Sequence, residues 1–162
     1  MTAALRLAWC VLIAACMMTP AIAQSQGDKA TTIVSGAFDV KVVPQPPAGG
    51  EDRAGRISLD KVYHGALNAR AVGLMLTGGD LKAATAGYVA IETVSGQLNG
   101  KKGSFQLMHW ATMRGKDMQL RIEVVPGSGS GDLQGIEGTM KIIVTADGKH
   151  SYEFQYSMPS AR

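Results

Sequence analysis

From residue 33 onward, apolar and polar residues alternate with a period of two, and Gly, Pro, Asn and Asp break the pattern at intervals. Period two belongs to an extended strand that hides one face. The pattern predicts about eight strands, near residues 33–43, 54–64, 68–77, 84–95, 102–113, 117–125, 133–145 and 149–157. In the first, Phe38, Val40 and Val42 share a face. In the second, Ile57, Leu59 and Tyr63 alternate with Arg56, Ser58 and Asp60, and in the third Val72, Leu74 and Leu76 fall on one side. The sixth sets Met118, Leu120, Ile122 and Val124 against Gln119, Arg121 and Glu123. The eighth sets Tyr152, Phe154 and Tyr156 against Ser151, Glu153 and Gln155.

The breaks carry their own meaning. The proline-rich stretch 44–50 reads as a loop, because a central strand does not tolerate prolines. Residues 78–80 (GGD) read as a turn, and Asn99-Gly100 reads as a tight one, since both residues accept positive φ. The run 126–131 (PGSGSG) looks too flexible to pair regularly. Nowhere past the N-terminal leader does a 3.6-residue period appear, and 20 glycines argue against long helices.

Adjacent alternating strands predict an all-β fold of antiparallel neighbours. About eight such strands can close into a small barrel, which removes exposed edges. A two-sheet sandwich has the same spacing and stays open at this stage.

The N-terminus differs in kind. Arg6 precedes an apolar run over residues 7–18; Pro20 ends it, and Ala21-Ile22-Ala23 places small residues where a signal peptidase cleaves. This is the pattern of an export signal, too short to span a bilayer comfortably. Cleavage is expected between Ala23 and Gln24, which places the protein in the periplasm or outside the cell. Ile13-Ala14-Ala15-Cys16 also resembles a lipobox, so acylation at Cys16 is the competing expectation. The resulting organisation is a signal over 1–23, a loose polar leader over 24–32 and one domain over 33–158.

Composition then excludes several functions. Both cysteines, Cys10 and Cys16, lie in the signal, so the mature chain has neither a disulfide nor a thiol nucleophile. The net charge is only +3, and Lys101-Lys102 is an isolated pair, so no basic stripe for nucleic acid exists. His64, His109 and His150 lack metal-ligand spacing, and no cofactor is expected. The 126–131 run has no Lys-Ser or Lys-Thr after it and is not a phosphate loop. Its serines do not sit in a nucleophile elbow.

Several segments are familiar together. Residues 87–92 (GYVAIE), 96–105 (GQLNGKKGSF), His109, 124–136 (VVPGSGSGDLQGI) and 148–156 (GKHSYEFQY) resemble the bacterial family called domain of unknown function 3224. The resemblance runs over about 36–158. It implies a fold like that of allene oxide cyclase, an eight-stranded antiparallel barrel, and it implies no activity. Allene oxide cyclases isomerise a reactive epoxide in such a barrel, but kinship of fold does not transfer chemistry. Two features depart from the family pattern: the export signal, and Val43 with a proline-rich loop where relatives tend to carry a Trp.

Two residues are the speculative acid–base candidates. His109 shares a face with Phe105 and Leu107, and a buried imidazole can move protons near neutrality; the plainer reading is a satisfied histidine. Glu92 shares a face with Tyr88, Ala90 and Val94, opposite Val89, Ile91 and Thr93. Inward, it is a carboxylate beside a ligand-sized space; outward, it is an ordinary surface acid. Tyr63, Tyr88, Phe105, Tyr152, Phe154 and Tyr156 are candidate walls for a small apolar or amphipathic ligand, and otherwise simply core. Trp110 falls opposite His109 and is expected outside, where it could serve a subunit contact. The leading expectation is a non-catalytic binding barrel. An isomerase or cyclase using Glu92 and His109, or an oligomerising interaction protein, are the alternatives.

Overall fold

The computed structural model describes residues 30–47, 49 and 54–159. The expected export signal, both cysteines and most of the expected leader lie outside the described residues. Nine strands form: β1 (Thr31–Gln45), β2 (Gly55–Tyr63), β3 (Leu67–Asp80), β4 (Thr85–Leu98), β5 (Lys101–Arg114), β6 (Asp117–Val124), β7 (Ser130–Gly131), β8 (Glu137–Val144) and β9 (His150–Ser157). No helix is present among the described residues. Eight strands close a ring in the order β1-β2-β3-β4-β5-β6-β8-β9 and back to β1, every pairing antiparallel. The fold is a barrel, not a sandwich.

Long strands make the closure. The first half of β1 pairs with β9, from Thr31↔Ser157 to Phe38↔His150, and its second half with β2, from Phe38↔Tyr63 to Gln45↔Arg56. Past Phe38 the β9 side of β1 is therefore unpaired. That is why Pro44, which has no N–H to give, fits inside a strand where a loop was expected. One seam is thin: β6 and β8 pair only at Ile122↔Met140 and Glu123↔Thr139.

Other expectations also shift. The strand β1 starts at Thr31, inside the expected leader. Gly78 and Gly79 stay in the sheet opposite Gly87 and Ala86, and the turn falls at residues 81–84. There Asp80 Oδ1 accepts from the backbone N–H of Lys82 and Ala83, fixing the bend. Asn99 and Gly100 turn as expected, at φ 49° and 79°. The glycine-serine run is pinned instead of loose. Ser130 and Gly131 pair with Ser104 and Gly103, and Ser128 Oγ donates to the Val125 carbonyl and accepts from Gln106 N–H. The next strand consequently starts at Glu137, four residues later than the pattern suggested.

The interior has two unlike halves. One end is filled by Phe105, Phe154 and Tyr156, stacked at 5.6 and 5.4 Å between ring centroids, with Leu133 and Ile136 in the same cluster. Tyr152 meets Tyr63 edge-on at 5.5 Å; its hydroxyl donates to the His64 carbonyl and accepts from Leu67 N–H. The other half carries smaller inward residues, among them Ala71, Ala90 and Ala111.

The structure decides which face of β3 is inward. Its apolar row Val72, Leu74 and Leu76 points outward, Val72 being 60% exposed, while Leu67, Ala69, Ala71, Gly73 and Met75 point in. Alternation separates two faces without saying which is inside, and here the interior needs small residues. With Val89 and Ile91 of β4 and Met108 and Trp110 of β5, the outward row makes a continuous exposed apolar wall. Trp110 is outside as expected, 47% exposed.

Candidate functional site

Where the aromatic packing ends, four polar side chains from three strands meet inside the barrel. Lys61 comes from β2, between the inward Leu59 and Tyr63; Glu92 from β4; His109 from β5. The strand between β2 and β4 lets them meet. Lys61 lies opposite Ala71 and Glu92 opposite Gly73, both on β3, so Lys61 crosses a strip without bulk. A Cβ on Gly73 would lie 2.7 Å from the Ile91 carbonyl oxygen and 3.0 Å from Glu92 Cα. Gly73→Ala is therefore expected to destabilise the fold by about 1–3 kcal/mol. Denaturant unfolding measures this, and an unchanged midpoint would refute the close approach.

Glu92 is the centre. Its side chain is 0% exposed, with Lys61 Nζ donating to Oε2 at 2.5 Å and Tyr63 Oη donating to Oε1 at 2.8 Å. Lys61 Nζ also reaches Tyr63 Oη at 3.4 Å and lies 5.3 Å from the Phe38 ring centroid. Burial pushes the Glu92 pKa up, but the His109 ring and the Lys61 ammonium outweigh it and hold the carboxyl below its ordinary value. It stays a carboxylate at neutral pH. Burial, followed by the charge and hydrogen bond of Glu92, drives Tyr63 far the other way, so its hydroxyl remains a donor.

His109 is 3% exposed, and its Nε2 lies 3.2 Å from Glu92 Oε2. That separation is within hydrogen-bond range, but the angle does not suit a hydrogen bond. Nε2 is buried with no hydrogen-bond partner. Directional alignment decides hydrogen bonding at this range, so the nitrogen is left without a partner.

Above the cluster opens a cavity of about 240 Å³, lined by Lys61 and His109 together with Leu59, Met75, Leu120 and Ile142, among others. Its lining is drawn from all eight strands of the ring, with Val42, Met118 and Val144 exposed among the residues that border it. A larger hollow of about 720 Å³ lies at the β5–β6 turn, lined by Thr112, Arg114, Lys116, Asp117, Met118 and Gln119. It is a surface groove without a buried polar group, so the barrel mouth is the better site. Among the described residues no group of three or more His, Cys, Asp or Glu could hold a metal.

The candidates thus divide. Glu92 and His109 both project inward and meet; for Glu92 this settles the open choice of face. Tyr63 joins them as a donor, and Tyr88 lines the cavity, where burial raises its pKa. Phe105, Tyr152, Phe154 and Tyr156 lie in the packed end, away from the cavity. Lys61 is the functional candidate the residue pattern did not single out. The available signal was a lysine on the same parity as Leu59 and Tyr63, a charge in an apolar row.

Fold and site define a small antiparallel barrel, packed at one end and open at the other above a buried charged cluster. The profile of the family described as protein of unknown function (DUF3224) matches residues 34–156, and the chain belongs to that family. A crystal structure of a protein with unknown function from the same family, from Shewanella oneidensis MR-1, is similar to it. The two are 44% identical with a TM-score of 0.71, over 80% of this chain and 100% of that one. No curated protein matches significantly.

Proposed function

We propose that the barrel mouth binds a small amphipathic molecule, with its apolar body against Leu59, Met75, Leu120 and Ile142 and its polar end toward Lys61 and His109. One observation carries the reading: an apolar-walled cavity ends on buried polar groups, one of which has no partner. That combination of apolar wall and few convergent polar atoms is the usual make-up of a ligand site. The volume, about 240 Å³, falls below the roughly 300–1,000 Å³ of sites for drug-sized ligands. The ligand is correspondingly small. The export-signal pattern of residues 1–23 supports an encounter with that ligand outside the cytoplasm.

Titration with the fluorescent, uncharged probe 1-naphthylamine tests the reading. One saturable site is expected, weakened at least tenfold in a Leu120→Trp variant that fills the cavity and still unfolds cooperatively. No saturable binding, or binding indifferent to Leu120→Trp, would overturn it.

A further inference from the structure

Resting on the cavity reading, we infer that the ligand is uncharged and enters head first, with a carbonyl-type oxygen received by Lys61 and His109. The donors available at the cavity floor define the head. Lys61 has three N–H groups, and its hydrogen bonds reach two acceptors, Glu92 Oε2 and Tyr63 Oη, the second at a long 3.4 Å. One N–H remains for a newcomer. Tyr63 gives its only proton to Glu92 Oε1, so it offers the ligand no donor. The imidazole of His109, its Nε2 without a hydrogen-bond partner, lies beside the same carboxylate oxygen as Lys61. An oxygen acceptor seated there completes a set of bonds the protein leaves incomplete.

Charge selects against an acid. The floor holds one ammonium and one carboxylate, already paired at 2.5 Å, so it is electrically balanced. A second carboxylate would share a single cation with Glu92 in a poorly solvated space, where an uncompensated charge is expensive. A ketone, ester or amide oxygen adds no charge. The apolar rim of Val42, Met118 and Val144 suits the trailing hydrocarbon.

Three compounds of nearly equal size separate the possibilities: acetophenone, benzoate and ethylbenzene, each competing with 1-naphthylamine. Acetophenone is expected to bind at least tenfold more tightly than either of the others. In the charge-balanced double variant Lys61→Met with Glu92→Leu, and again in His109→Leu, that preference should fall below threefold while ethylbenzene binds as before. Equal binding of all three would remove head recognition and leave the cavity reading standing. Tighter binding of benzoate would replace the neutral head by an anionic one. If none displaces the probe, the cavity reading falls as well.

Discussion

Replacing Glu92 by Gln is expected to lower the unfolding free energy by about 3–5 kcal/mol, a large part of the stability of a domain this size. Glutamine keeps the volume and can still accept from Tyr63. It leaves the Lys61 ammonium, whose side chain is 5% exposed, without its counter-charge. Buried ion pairs gain little over well-packed apolar residues, but breaking one from a single side strands the other charge. The double change Lys61→Met with Glu92→Leu should therefore recover more than half of the loss, although Tyr63 then lacks its acceptor. Urea unfolding of the three variants measures the cycle; a double variant as weak as Glu92→Gln would show that the charges are not the cause.

The same carboxylate sets an acid limit. Its folded pKa is depressed, so its stabilisation is complete above the unfolded value of about 4.3 and drains away as pH falls through the lower folded value. Wild type should lose stability below about pH 4.3 more steeply than Glu92→Gln. Parallel acid limbs would contradict the depressed value.

The second large effect lies at the opposite end. Phe154→Ala should cost about 3–5 kcal/mol, because the ring is fully buried between Phe105 and Tyr156 and its removal leaves a cavity no neighbour can fill. Thermal unfolding reads it directly. Probe binding at the mouth should survive in the folded fraction, since Phe154 does not line that cavity. Loss of both together would mean that the two halves are not independent.

Most of the strand order was legible in the residues because alternation and turn chemistry are local. Period two groups Ile122 with Val124 and sets out the Tyr152–Tyr156 row, and the structure turns these faces, with Phe38, inward. What failed was whatever depended on distant partners. Alternation leaves open which face of β3 is inward, and the row Val72, Leu74 and Leu76 turned out because the interior at Gly73 is occupied by side chains from two other strands. Pro44 entered a strand because β9 had already ended beside it. The glycine-serine run became ordered because Gly103, on a strand far along the chain, offers room for it. The site was half visible: Glu92 and His109 carry recognisable chemistry, whereas Lys61 gained meaning only once β2 and β4 were known to flank a bare strip of β3.

The thin seam between β6 and β8 has a mechanical consequence. The two staves at this joint, the least bonded of the cask, supply Met118, Leu120, Ile142 and Val144 to the wall of the hollow that holds Lys61 and His109, so that wall has few backbone bonds to stiffen it. The aromatic plug at the far end, stacked through Phe105, Phe154 and Tyr156, holds the rest of the hoop.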